Sequence, residues 1–587
     1  MRELQSVLPY VHRYRMGLLL GLLFIALSNA APTATPWLIG LAIDAARMDG
    51  ATFGRVAWLA LLIIIVNVLN GFARFGMRRM MNGISRQIEN DLRDDFFAHL
   101  VRLDSAFYGT TRTGDLMSRA TNDTQAVRMA VGPGIMYLVN TTVTTAVSLA
   151  LMLRYSVSLA LIAIVPLALL PFVMIHFGRR IHRQFDRIQE QFGTLSTMVQ
   201  ENLAGVRIVR AYVQEQAQAD EFELLNRTYM KQNMDLARTS SVFHPLLTLL
   251  TGIGLLLVLW FGGREVIAGT LSEGDFVAFS TYLVMLTWPM IALGWVVNLF
   301  QRGAASMARI DRIMHTRPLV TEADDAAHVE IRGRIEFRNV SFRYPGTDRP
   351  VLEDVSFVIE EGTTTAIVGP TGSGKSTIVA LLTRRYDPDS GTIFIDDVPL
   401  MRLPLATLRA AVGVVPQEAF VFSESIRDNI GFGLSDGAVD GAPLPGEDPV
   451  VRAAAVAQLT DTVSAFPDGF ETRLGERGVN LSGGQRQRTT LARAIARDPR
   501  ILILDDSLSA VDTHTEKRIL DALRDELDRR TAVIVSHRVS AVMEAVQILV
   551  LDHGRIVERG SHPELIAAGG LYATLLRRQL LEETLAS

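Results

Sequence analysis

Hydrophobic and polar positions divide this chain into two regimes. Residues 17–43, 57–72, 134–153, 157–175, 243–262 and 276–300 form six apolar stretches. Most approach or exceed the roughly 20 residues that a helix needs to cross the hydrocarbon of a bilayer. The connections alternate between very short, as at residues 154–156, and long and polar. Arg74, Arg78, Arg79, Arg86 and Arg93 follow the second stretch, and Arg179, Arg180, Arg183 and Arg187 follow the fourth. Membranes retain arginine on the cytoplasmic side. This bias therefore predicts that the long connections and the N-terminus are cytoplasmic and the short loops external.

The long connections keep a helical period. Ile84, Ile88, Leu92, Phe96 and Leu100 recur every four residues, so the second helix is expected to continue past the membrane. Breaks at Phe107-Tyr108-Gly109 and Gly205-Val206-Arg207 predict a short transverse helix at the tip of each of two cytoplasmic hairpins. Residues 1–16 carry Arg2, Arg13 and Arg15 and no small-residue cleavage site, which argues against a signal peptide and for an amphipathic elbow on the inner membrane surface. A charged helix from Arg302 ends near Pro318 and leads into an acidic linker with Glu322, Asp324 and Asp325. From Ile331 onward alternating strands such as residues 334–340 announce a soluble α/β domain. The expected organisation is an all-α, six-helix transmembrane domain (residues 1–310), a linker (311–330) and the α/β domain (331–587). Residues 433–449, rich in Gly, Pro and Asp, read as a surface loop and not as a metal site.

Composition changes this picture little. The absence of cysteine excludes disulfides and thiolate metal centres. A net charge of -4 gives no support for a nucleic-acid partner. Lysine occurs only at Lys231, Lys375 and Lys517, as the codon bias of a GC-rich genome would produce. One of these, Lys375, stands where a compact ammonium is required.

That position belongs to Gly369-Pro370-Thr371-Gly372-Ser373-Gly374-Lys375-Ser376, a G-x-x-x-x-G-K-S loop preceded by the strand pattern Thr364-Thr365-Ala366-Ile367-Val368. In such a loop backbone N–H groups turn inward around a phosphate, and the following helix adds its positive end. Lys375 would bridge the β- and γ-phosphates of ATP, and Ser376 would ligate Mg²⁺. Further on come Leu481-Ser482-Gly483-Gly484-Gln485 and the apolar run Ile501-Leu502-Ile503-Leu504-Asp505-Asp506. These three elements in this order resemble the nucleotide-binding domain of the ABC transporter family. With six apolar stretches ahead of them, the resemblance covers nearly the whole chain and points to an exporter-type half-transporter with an α/β P-loop ATPase domain. It implies that Asp505 and Gln417 share the Mg²⁺ site with Ser376, that Thr377 belongs to the nucleotide cradle, and that Tyr344 stacks on adenine. It also implies that His537 bonds the γ-phosphate and that the two transverse helices couple the domains. Ser482, Gly483, Gly484 and Gln485 would close over ATP held by a second subunit. The segment 472–478 resembles an exporter-type contact with the coupling helices, and Ser509-Ala510-Val511-Asp512 a loop between paired ATPase domains.

Asp506 departs from the family pattern. The family usually has Glu there, as base for the attacking water, and Asp is one methylene shorter. Withdrawing the carboxylate by about 1 Å can cost about 10²-fold in rate. The resemblance therefore implies a heterodimer in which this chain supplies a hydrolysis-impaired site and an intact signature, and its partner the reverse. A slow homodimeric lipid or peptide exporter is the alternative.

Trp288 and Trp295 lie seven residues apart on one face of the sixth stretch, with Asn298 close by, and could line a cavity for amphipathic, drug-like or lipid-like substrates. No intramembrane acid pair suggests proton coupling. The expected function is ATP-driven export across the cytoplasmic membrane. An inward-transporting member of the same plan and an ATP-binding regulatory subunit remain as alternatives.

Overall fold

The computed structural model describes residues 2–47, 52–323, 329–434, 448–511, 513–538 and 542–586. Asp324 and Asp325 of the acidic linker, most of the 433–449 loop, and Asp512 lie outside the described residues. The chain forms two compact units, one of Met1–Val101 with Thr113–Thr316, the other of Arg102–Arg112 with Arg317–Ser587.

Among its described residues the first unit holds six helices long and apolar enough to cross a membrane: Arg15–Arg47, Phe53–Arg102, Thr113–Tyr155, Val157–Ala204, Glu215–Ile267 and Glu273–Met314. Each contains one of the six apolar stretches. The four-residue period of the second helix is a packing face, since Ile84, Ile88, Leu92 and Phe96 are all buried. The N-terminal elbow comprises a 3-10 turn, Arg2–Val7, and a helix, Leu8–Arg13. It is pinned to the same second helix. The Tyr10 hydroxyl donates to Asp95 at 2.9 Å, the Tyr14 hydroxyl donates to Asp91 at 3.1 Å, and Arg13 pairs with Asp91 at 3.2 Å.

The third helix begins well before its apolar stretch and contains two π-helical turns, Arg119–Asp123 and Ala130–Gly134. Its polar start gives no apolar signal because it is held by charge and by close approach. Arg309 of the sixth helix donates to buried Asp123 at 2.9 Å, and a Cβ on Gly303 would stand 2.5 Å from that of Ala130.

A short helix forms at each of the two predicted breaks, on different terms. Ser105–Thr110, in the second unit, is capped by Asp104, whose Oδ1 accepts from the Phe107 amide at 3.2 Å. The other oxygen of Asp104 accepts from the amides of Leu319 and Val320. Val206–Ala211, in the first unit, has no side-chain cap and no buried residue.

In the second unit the strands are β1 (Ile335–Phe342), β2 (Leu352–Ile359), β3 (Thr364–Val368), β4 (Ser390–Ile395), β5 (Val398–Pro399), β6 (Val412–Val415), β7 (Ile501–Asp505), β8 (Thr531–Val535), β9 (Gln547–Asp552) and β10 (Arg555–Gly560). An antiparallel sheet has the order β2-β1-β4-β5, and a second sheet the order β10-β9-β3-β8-β7-β6, parallel from β9 to β6. Alternate residues of the parallel strands enter two different cores. Ala366, Val368, Leu502, Leu504 and Ile534 pack toward helix Gly483–Ala496, while Ile367, Ile501, Ile503, Val533 and Val535 pack toward Phe337, Phe357 and Ile393. Burial on both faces is why these strands read as continuous apolar runs.

Candidate nucleotide site

Four parallel strands end at one place. β3 runs into the glycine loop, β8 into Ser536 and His537, β7 ends at Asp505, and β6 is followed by Pro416 and Gln417. Ligands of open α/β sheets bind beyond the carboxyl ends of such strands. A cavity of about 530 Å³ opens there, lined by Tyr344, Thr371, Gly372, Gly374, Lys375, Ser376, Thr377, Gln417, Asp505, Asp506 and His537. Gly369, Pro370 and Ser373 complete the loop behind this lining. Gly374 has φ 106°, and a Cβ there would meet Leu352 at 2.8 Å, so glycine is required for the loop to enter helix Lys375–Leu382.

The side chains are arranged as a ligand-ready set. Lys375 Nζ donates to the carbonyls of Gly369 and Pro370, both at 2.8 Å. Burial pushes its ammonium below the usual lysine range, opposed by the charges of Asp506 and Asp505. Ser376 Oγ donates to Asp505 Oδ1 at 3.2 Å. Burial raises the Asp505 carboxyl above its ordinary value, against the lowering effect of that hydrogen bond. The buried Ser373 hydroxyl has no hydrogen-bond partner among the described residues. A phosphate with its counter-cation would answer these features together, supplying charge to both buried ions. The oxygen donors Ser376 and Asp505 suit a hard cation such as Mg²⁺.

Asp506 takes a left-handed backbone, φ 48°, which an Asp tolerates better than most residues, and its amide donates to Val535 O at 2.8 Å. Its two carboxylate oxygens are engaged separately. Oδ1 lies 2.7 Å from His537 Nδ1, and Oδ2 accepts from Gln417 Nε2 at 3.4 Å. Tyr344 meets Thr377 through a hydroxyl contact of 3.1 Å, and its ring stands edge-on to Tyr386 at 5.3 Å.

Ser482, Gly483, Gly484 and Gln485 do not line this cavity. They form the N-terminus of helix Gly483–Ala496, closed by a capping box in which Ser482 Oγ accepts from the Gln485 amide at 3.2 Å and Gln485 Oε1 from the Ser482 amide at 2.8 Å. A Cβ on Gly484 would come 2.9 Å from the Ala510 carbonyl, so this helix end packs directly on the 509–511 loop. The predicted contact segment is paired as well: the Leu474 amide donates to Glu424 O at 2.9 Å, and the Ile426 amide to Thr472 O at 3.1 Å.

Three residues escaped sequence reading. Gln487 donates to Ser509 Oγ at 3.0 Å and accepts from the Ala510 amide at 2.9 Å, wiring the signature helix to the 509–511 loop. Arg493, pushed down to about 10 by burial, donates to the carbonyls of Asn429 at 2.7 Å and Phe420 at 2.9 Å. Tyr386 supports Tyr344. Each acts through residues distant in sequence, so no local spacing announces it.

In the first unit Trp288 and Trp295 are both exposed, while Ala292 and Leu299 between and beyond them are buried. The rings therefore stand at the edge of the packed face of the sixth helix, with Trp295 edge-on to Tyr137 at 4.9 Å and Asn298 exposed.

Residues 18–290 match the family model of the ABC transporter transmembrane region, and residues 352–509 the family model described as ABC transporter. The chain is 38% identical over 557 residues to the "Probable multidrug resistance ABC transporter ATP-binding/permease protein YheI" of Bacillus subtilis, covering 94% of this chain and 93% of that one. It belongs to the ABC transporter family. It is also 36% identical to the "Multidrug resistance-like ATP-binding protein MdlA" of Escherichia coli, over 98% of this chain and 95% of that relative. A solved structure of a bacterial Atm1-family ABC exporter with ATP bound superposes with a TM-score of 0.78 at 29% identity, covering 96% of this chain and 98% of the other. This ABC transporter is thus a multi-pass membrane protein with six spans followed by an ATP-binding domain, and its work is ATP-driven export.

Proposed function

We propose that this chain is the subunit of a heterodimeric exporter that contributes a hydrolysis-impaired ATP site and an intact signature helix. The observation that carries this reading is Asp506. It occupies the position of the catalytic acid, yet its short side chain is already engaged by His537 and Gln417. Tyr344, the glycine loop and Lys375 would bind ATP, with Lys375 moving from the Gly369 and Pro370 carbonyls to the phosphates. Ser376, Asp505 and Gln417 would hold Mg²⁺, which when bound neutralises charge on the β- and γ-phosphates. His537 would hold the γ-phosphate, and Asp506 would orient water too weakly for fast cleavage. Ser482 and the amides at the start of the signature helix would close on ATP held by the partner, and the helices Ser105–Thr110 and Val206–Ala211 would carry that closure to the spans. The N-terminus and ATPase domain would face the cytoplasm.

The cargo is an amphipathic, drug-like or lipid-like compound. Support comes from the multidrug names of the relatives and from uncharged polar groups in the spans, such as Thr144 donating to Asn29 Oδ1 at 2.7 Å. Trp288, Trp295 and Asn298 would line its path. The test is ATP turnover by the purified single chain. ATP binding without sustained hydrolysis is expected, and linear hydrolysis at several turnovers per second would refute the impaired-site reading.

A further inference from the structure

His537 and Arg538 are neighbours in the chain and serve different parts of the second unit. Past the end of β8 the Arg538 amide donates to Ser536 Oγ at 2.9 Å, a short turn that ties the backbone of both residues to the strand. From this turn His537 lines the nucleotide cavity, its Nδ1 2.7 Å from Asp506 Oδ1. Arg538 lies outside that lining. One arm of its guanidinium donates to Glu516, which is buried in the first turn of helix Thr513–Leu527, and the other to the Ser509 carbonyl at 3.3 Å. A planar fork makes two directed bonds at once, so this one side chain clamps the 509–511 loop to the helix that follows it.

The signature helix holds the same loop from another side. Gln487, itself buried, donates to Ser509 Oγ at 3.0 Å and accepts from the Ala510 amide at 2.9 Å. Ser509 is therefore gripped twice, by Arg538 through its carbonyl and by Gln487 through its hydroxyl. The Ala510 carbonyl would stand 2.9 Å from a Cβ on Gly484, which leaves little slack between loop and helix end. Breaking any of these bonds strands a buried polar group, and a buried carboxylate such as Glu516 is costly to leave alone. Displacement of one end of the path is therefore passed along it.

We propose that Arg538 is a positioning residue that transmits occupation of this chain's nucleotide cavity to its signature helix. When ATP arrives, His537 leaves Asp506 for the γ-phosphate, and the turn at Ser536 carries Arg538 with it. Arg538 and Gln487 then move the 509–511 loop and the N-terminus of helix Gly483–Ala496 together. The proposal rests on the reading above in which that N-terminus closes on ATP held by a partner. It gives the impaired site a purpose: ATP bound and not cleaved there sets the affinity of the site that does cleave. Such linkage is reciprocal, and couplings of this kind span about 5- to 150-fold in affinity.

The test is ATP turnover by the assembled transporter over a range of ATP concentrations. Arg538→Lys keeps a positive charge beside Glu516 and loses the fork, so KM for ATP should rise at least about fivefold while kcat stays within about twofold. Gln487→Met cuts the path beyond the loop and should give the same shift, which carries the test if the Lys variant is destabilised. Combining either with Lys375→Ala, which weakens ATP binding in the cradle, should raise KM no further, whereas independent damage would add. An unchanged KM in either variant overturns the proposal, and so do additive effects with Lys375→Ala. The reading beneath it fails separately: undiminished turnover in Gly483→Asp would show that this helix end serves no ATP, whatever the KM of the Arg538 variant.

Discussion

The phosphate-loop side and the signature side of the ATP machinery are built on opposite terms. On the first, three functional groups already have companions within the chain: Lys375 with two carbonyls, Ser376 with Asp505, Asp506 with His537. On the second, Ser482 and Gln485 satisfy only each other, and their helix N-terminus lines no part of this chain's nucleotide cavity. A self-contained cradle can capture ATP by itself, whereas an open helix end needs nucleotide brought to it. The departure from the family pattern, Asp506, falls only on the first side. A loss of chemistry there would leave the second side intact, which is the physical basis for the proposal that this chain plays unequal roles in two sites.

The comparison is most directly broken by changing each side in turn within the assembled transporter. Gly483→Asp places a carboxylate where the helix end would meet a γ-phosphate, and the nearest Ala510 methyl, 3.5 Å from a Cβ there, leaves room for it to fold. Turnover should fall by about 10²–10³-fold, the scale of losing electrostatic stabilisation of a transferring group. Lys375→Ala should leave most turnover in place. Steady-state ATPase assays of the two variants decide, and equal losses would mean two equivalent sites.

Asp506→Glu sharpens the same contrast from within the cradle. The added methylene restores the reach of the acid, and single-turnover cleavage of ATP at this chain's site should rise by about 10²-fold. An unchanged rate would place the defect elsewhere.

The two short helices allow a smaller version of the test. Asp104→Ala removes the cap of Ser105–Thr110 and releases the Leu319 and Val320 amides, so the second unit should lose about 1 kcal/mol, seen as a lower denaturation midpoint. Arg207→Ala in the uncapped, exposed helix Val206–Ala211 should leave the midpoint of the isolated chain unchanged while lowering transport per ATP. A loss of stability there instead would show that this helix docks within its own chain.

The smallest effect is expected at the edge of the sixth helix. Trp295→Ala removes the ring that meets Tyr137 and should weaken stimulation by some amphipathic substrates by about 1 kcal/mol, with basal ATPase preserved. Concentration–response curves for several substrates measure it, and uniform behaviour across all of them would put Trp295 against lipid or a neighbouring helix.

Much of this was legible because the relevant physics is local. A transmembrane helix must bury its backbone hydrogen bonds within itself and show an apolar exterior, so six spans stand out as six runs. A phosphate cradle needs Gly374 at φ 106° and a lysine next to it, so the loop is readable as a string. Strands buried on both faces, such as β7, announce themselves and locate Asp505 and Asp506 at their end. The third helix was harder, since its polar start is held by Arg309 and Asp123, residues far apart in sequence.

What the sequence by itself determined is thus the set of elements and the glycine loop from Gly369 to Ser376, because each depends on neighbours within a few residues. Only the tertiary structure decided which of them meet. It brought Asp506 between His537 and Gln417, joined the signature helix to the 509–511 loop through Gln487, tied Asp104 to Leu319 and Val320, and left Trp288 and Trp295 at the edge of a packed face. Those contacts join side chains that approach only when sheets and helices pack, and no periodicity along the chain encodes the distance between them.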